Sequence, residues 1–75
     1  MKNTLRTWNR KGYIVEEQEF NYNLHKFVVI QEDAENQEIV PDSIEVMEEI
    51  IHALDNGEDV DGWENGNGET IKVNR

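Results

Sequence analysis

Between Pro41 and Gly57 the chain carries one dominant helix signature. Ile44, Met47, Ile51 and Leu54 recur at spacings of three and four, the period that lines one side of an α-helix. Val46, Ile50 and Ala53 widen that stripe. Pro41 ends whatever precedes it, and Asp42 or Ser43 can cap the first turn. Asp42 followed by Glu45 resembles a capping box. Asn56-Gly57 supplies the stop. The polar side of this helix carries Glu45, Glu48, Glu49 and His52, with Asp55 nearby. Glu45 and Glu49 repel at i,i+4, and no Lys or Arg lies within reach along the helix.

The rest of the chain arranges itself around that helix. Asn3 to Arg10 reads as a short N-terminal helix, because Leu5 and Trp8 are i,i+3 and Asn3 can cap it. Arg10 and Lys11 suit the end of its dipole, and Gly12 is a natural terminator. A helix of two turns needs Trp8 docked on the remainder. Tyr13 to Phe20 reads as a strand with imperfect alternation, as an edge strand or a bulged one tolerates. Asn21-Tyr22-Asn23 is a turn. Leu24 to Gln31 is the clearest strand, apolar on both faces at its middle and therefore central. Glu32 to Asn36 turns, and Gln37 to Val40 closes a three-stranded antiparallel meander. After the main helix, Asn65-Gly66-Asn67-Gly68 signals a turn, and Thr70 to Val73 reads as a strand. That strand pairs with Asp59–Trp63 or joins an edge of the meander. The expected class is α+β: a short N-terminal helix, a three-stranded meander, one main amphipathic helix, and a C-terminal strand or hairpin.

Length and charge bound the function. One small domain, 1–75, fits this length, and a chain of this size buries only roughly 60–65% of its extended surface. There is no Cys, which excludes a disulfide scaffold and thiolate zinc. The longest apolar run is Phe27–Ile30, far short of a membrane span, and no N-terminal segment reads as a signal peptide. A cytoplasmic protein is expected. The chain holds 17 Asp plus Glu against 7 Lys plus Arg, a formal charge of −10. Direct binding to nucleic acid or to anionic membrane is disfavoured, because both are driven by neutralising negative charge. High solubility or a basic protein partner is favoured. The layout is sharper than the total. Lys2, Arg6, Arg10 and Lys11 put +4 on the first 13 residues, and the remaining 62 carry −14. Between Phe27 and Ile71 there are 14 acids and no Lys or Arg.

No motif for catalysis or metal binding emerges. An EF-hand register centred on Gly62 places Asp59 and Asp61 correctly but leaves Gly57 at the first position and Gly68 at the last. A register centred on Gly66 puts Trp63 and Lys72 at ligand positions. Asp59, Asp61 and Glu64 offer at most a weak cation site. His25 and His52 have no second His or Cys at ligand spacing and read as an edge residue and a helix-surface residue. No nucleophile has a base and an orienting group, so no enzyme and no cofactor is expected. Among the aromatics, Tyr22 and Trp63 are the ones expected to be partly exposed. Trp63 lies among acids, as either a lid on the core or an interface anchor ringed by carboxylates.

Three stretches carry a likeness: Asn3-Thr-Leu-Arg-Thr-Trp-Asn-Arg-Lys-Gly-Tyr-Ile-Val15, Val46-Met-Glu-Glu-Ile-Ile-His-Ala-Leu-Asp-Asn-Gly57 and Glu69-Thr-Ile-Lys-Val73. In order and character they resemble the small acidic phage anti-CRISPR proteins that inhibit the RNA-guided nuclease of type II systems. Here the acidic segment after the helix is shorter and reads Asp59-Val-Asp-Gly-Trp-Glu-Asn65 in place of a tyrosine-rich run. The resemblance implies an acidic protein that occupies a basic nucleic-acid groove, its carboxylates standing where phosphates would be. On that reading Glu45, Glu48, Glu49, Asp55, Glu58, Asp59, Asp61, Trp63 and Glu64 bind the partner. The alternative is a small structural or regulatory protein whose homodimer uses the sheet edge or exposed aromatics.

Overall fold

The computed structural model describes residues 4–20, 23–32, 34–66 and 68–73. Four strands, β1 (Thr4–Arg10), β2 (Tyr13–Glu19), β3 (His25–Gln31) and β4 (Ala34–Ile39), precede one helix, α1 (Ile44–Asp55). The strands lie in chain order, each antiparallel to the next. The class is α+β, a four-stranded antiparallel sheet with one helix packed on it.

The N-terminal segment corrects the expectation of a helix. It is strand β1, paired with β2 so that Trp8 faces Val15 and Arg10 faces Tyr13. The meander therefore has four strands. Lys11-Gly12 closes the β1–β2 hairpin, and Gly12 at φ 90° takes a backbone conformation that side chains disfavour. A two-turn helix is marginal in water, whereas pairing with β2 satisfies the backbone of the whole segment. Asn3, the expected cap, lies outside the described residues.

β2 is interior rather than an edge, and its mixed alternation has a structural cause. Tyr13, Val15 and Glu17 face α1, while Ile14, Glu16 and Gln18 face away. Glu17 is thus a carboxylate on the core side, 1% exposed. Its Oε2 lies 2.7 Å from His25 Nδ1 on β3, and its Oε1 lies 3.2 Å from Arg6 Nε on β1. The Arg6 contact is ionic by distance, but Oε1 receives no aligned hydrogen bond. His25 is accordingly a partner of a buried acid, not an edge residue. β4 begins at Ala34, so the preceding turn is shorter than expected, and the register shifts between Val29 and Gln31. Of the turn at Asn21-Tyr22-Asn23, positions 21 and 22 lie outside the described residues, and with them the expected exposure of Tyr22.

α1 matches the amphipathic stripe. Ser43 is its N-cap, its Oγ accepting the Val46 N–H at 3.3 Å. With Ser43 rather than Asp42 as the cap, Glu45 is the second helical residue, one position short of where a capping box requires it. Asn56 closes the last turn through its N–H to the His52 and Ala53 carbonyls. One core joins all elements: Trp8, Tyr13, Val15, Phe27, Val29 and Ile39 from the sheet, Met47 and Leu54 from α1, and Val60 and Ile71 from the C-terminal segment. No described helix is long and apolar enough to cross a membrane.

The C-terminal segment is an irregular hairpin that also joins the sheet edge. The Ile71 N–H donates to the Trp63 carbonyl at 2.7 Å and the Gly62 N–H to the Ile71 carbonyl at 2.9 Å, with Glu64 bridged to Thr70. The Val40 N–H donates to the Asn65 carbonyl at 3.0 Å. The Gln37 side chain, in the middle of β4, both donates to the Lys72 carbonyl and accepts from its N–H. Gly66 sits at the closest approach, with φ 88°, where a Cβ would collide with the Val40 carbonyl. Gly66→Ala is expected to cost more than the roughly 1–2 kcal/mol of left-handed backbone strain alone, because the collision is with backbone and the two segments must part to relieve it. Thermal denaturation checks this, and an unchanged midpoint would refute the close approach.

Candidate acidic docking site

The nine residues expected to face a partner divide into two groups. Asp55, Asp59 and Asp61 are engaged inside the protein. Asp55 Oδ1 accepts the Trp8 Nε1–H at 2.8 Å, and its Oδ2 lies 3.8 Å from Arg6 Nη1. Asp59 Oδ1 accepts the Tyr13 hydroxyl at 2.7 Å and the Asp61 N–H at 3.2 Å. The Tyr13 oxygen in turn accepts the Val60 N–H at 3.1 Å. Asp61 Oδ1 accepts the Val73 N–H at 3.0 Å. These acids tie the C-terminal hairpin to the sheet and to itself. Asp59 and Asp61 thereby have an explanation other than cation binding. Among the described residues no group of three or more His, Cys, Asp or Glu is placed to hold a metal ion.

Glu45, Glu48, Glu49, Glu58 and Glu64 are all exposed, and none has an ion pair among the described residues. At about 100° per residue, Glu45 and Glu49 lie on the crest of α1, opposite buried Met47 and Leu54. Glu48 lies on the flank shared with Asp55. The basic strand does not neutralise the crest, because its arginines are used elsewhere. The Arg10 guanidinium donates to the Leu54 and Glu58 carbonyls. It therefore caps the C-terminal end of α1, where a cation opposes the helix dipole. Arg6 stands between Glu17 and Asp55. The dipole role expected of Arg10 is real but belongs to α1, not to an N-terminal helix.

Beside the crest, α1 and the hairpin form an open cleft of about 260 Å³ lined by Val46, Glu49, Ile50, Ala53, Glu58 and Trp63. Trp63 is half-buried, packed on the core from one side and facing the cleft on the other. Val46 is 40% exposed. Trp63 is expected from the sequence as a lid or an interface anchor, whereas Val46, Ile50 and Ala53 are legible there only as part of the helix stripe. Their signal is its width: Val46 and Ala53 extend the stripe past the arc that the core covers. Glu58 joins Glu49 at this cleft, while Glu64 stands on the hairpin away from it.

No family profile, curated protein or solved structure matches this chain.

Proposed function

We propose that the protein is a non-enzymatic acidic inhibitor that docks on the basic groove of a nucleic-acid-binding protein. The type II RNA-guided nuclease is the class of target that the resemblance implies. The observation that supports this most is the outer face of α1, where exposed Glu45 and Glu49 on the crest and Glu48 on its flank stand without an ion pair among the described residues. Leaving carboxylates of one sign together lowers stability slightly and raises the attraction for a basic surface. Glu45 and Glu49 are separated by about 6 Å along the helix axis. One strand of duplex DNA carries a charge every ~3.4 Å. A single helix is therefore a sparse mimic, and Glu58 and Glu64 on the hairpin widen the charged area. Arginine forks that read phosphates accept carboxylates in the same geometry. Asp55, Asp59 and Asp61 serve the fold first and contribute to docking only through their field.

Competition against duplex DNA for a purified type II nuclease tests the reading. The protein is expected to displace DNA at low salt and to lose potency as salt rises. The triple variant Glu45→Gln, Glu48→Gln, Glu49→Gln is expected to be weaker by about 10–100-fold. No displacement at low salt, or equal potency of the variant, would sink it. One observation favours the homodimer as a second reading. Ile14 and Phe20 are 38% and 51% exposed, on the sheet face that α1 leaves bare. Light scattering at high salt separates the two, since an apolar dimer persists there and acidic docking does not.

A further inference from the structure

We infer that the cleft between α1 and the C-terminal hairpin is the seat for one arginine side chain of the basic partner. This rests on the docking reading above and adds a specific contact to it. The cleft has two kinds of lining. Val46, Ile50, Ala53 and the Trp63 ring make an apolar floor, and the exposed Glu49 and Glu58 carboxylates stand at it without an ion pair among the described residues. At about 260 Å³ it is smaller than the roughly 300–1,000 Å³ typical of small-molecule pockets. It suits a side chain better than a free ligand. The occupant must be apolar along its stem and cationic at its head.

Arginine fits this better than lysine for three physical reasons. The guanidinium is planar and stacks on an indole face. Its donors diverge, so one head can reach carboxylates from two elements, Glu49 on α1 and Glu58 at the start of the hairpin. It is also less strongly hydrated than an ammonium, so entering a cleft floored by Trp63 costs it less. The rest of the acidic crest attracts any basic segment by charge alone. The cleft is where the identity of the cation is read.

The test compares hexa-arginine and hexa-lysine peptides, which carry equal charge, in calorimetric titrations at low salt with tryptophan emission followed in parallel. Hexa-arginine is expected to bind about 3–30-fold more tightly and to change the Trp63 emission. Trp63→Leu is expected to bring the two peptides to equal affinity, with hexa-arginine losing more than hexa-lysine. Trp63→Phe, which keeps an aromatic floor, is expected to retain part of the preference. Glu49→Gln with Glu58→Gln is expected to reduce it as well. Equal affinity of the two peptides for the parent protein, or a preference that survives Trp63→Leu, overturns the seat. If both peptides bind equally and the Glu45, Glu48 and Glu49 triple variant loses both, the docking reading stands and the arginine seat falls. If neither peptide binds at low salt, both fall.

Discussion

Phe27→Ala is expected to lower the unfolding midpoint by about 12–40 °C. Phe27 is fully buried at the middle of β3. Its cross-strand neighbours are Glu17 on β2 and Ile39 on β4, and its ring lies 6.1 Å from that of Trp8 on β1. One side chain therefore meets every strand of the sheet. Truncating a buried Phe to Ala costs about 3–5 kcal/mol, the lost transfer energy plus a cavity that closes only in part. A chain of this length has total stability of roughly 4–11 kcal/mol. The loss is about a quarter to a half of the whole at the upper end of that range and most or all of it at the lower end. Phe27→Leu, which leaves a smaller void, is expected to cost about 1–2 kcal/mol. Thermal unfolding followed by circular dichroism measures both. A Phe27→Ala midpoint close to that of the parent would mean that the core lies elsewhere.

The second large effect concerns Arg6 and Glu17. Arg6→Met keeps an apolar stem but removes the guanidinium, which lies 3.2 Å from a carboxylate that is almost wholly buried and 5.9 Å from the centre of the Trp8 ring. Among the described residues Glu17 then keeps only His25 as a facing partner. Breaking a buried pair from one side costs roughly 3–5 kcal/mol. Arg6 is half exposed, so screening lowers this to about 2–3 kcal/mol. The unfolding midpoint is expected to fall by about 10–20 °C. Adding Glu17→Met removes the stranded charge and fills its place with an apolar side chain of similar length. The double variant is expected to recover most of the loss, because apolar replacement of a buried pair is often neutral or better. The combination thus departs strongly from additivity, as directly coupled neighbours do. If Glu17→Met deepened the loss instead, the carboxylate would be a net stabiliser of the sheet.

The inward arginines of β1 account for its helix-like sequence. Along Thr-Leu-Arg-Thr-Trp-Asn-Arg the core-facing positions are Arg6, Trp8 and Arg10. Period-two alternation is present, but cations occupy two of its three inward positions, so only the i,i+3 spacing of Leu5 and Trp8 stands out. The partners that make an inward arginine tolerable are Glu17, Asp55 and the carbonyls of Leu54 and Glu58. Most lie more than forty positions away in the chain. The inverse holds for β2, where Glu17 looked like a break in the pattern and is in fact a core position.

The main helix and the central strand were readable without any tertiary information. Their signals are local: a period of three to four between a cap and Asn56-Gly57, and an unbroken apolar run at Phe27–Ile30. The net charge and its uneven layout were equally readable, since they are counts along the chain. What only the folded structure decided is which charges are spent. Asp55, Asp59 and Asp61 look the same in sequence as Glu45, Glu48 and Glu49. The short aspartates lie where the hairpin and the helix end meet β1 and β2, and they close hydrogen bonds there. The glutamates lie on the exposed arc of α1, with no ion-pair partner among the described residues. Proximity to a donor distant in sequence separates the two groups, and no local pattern encodes it.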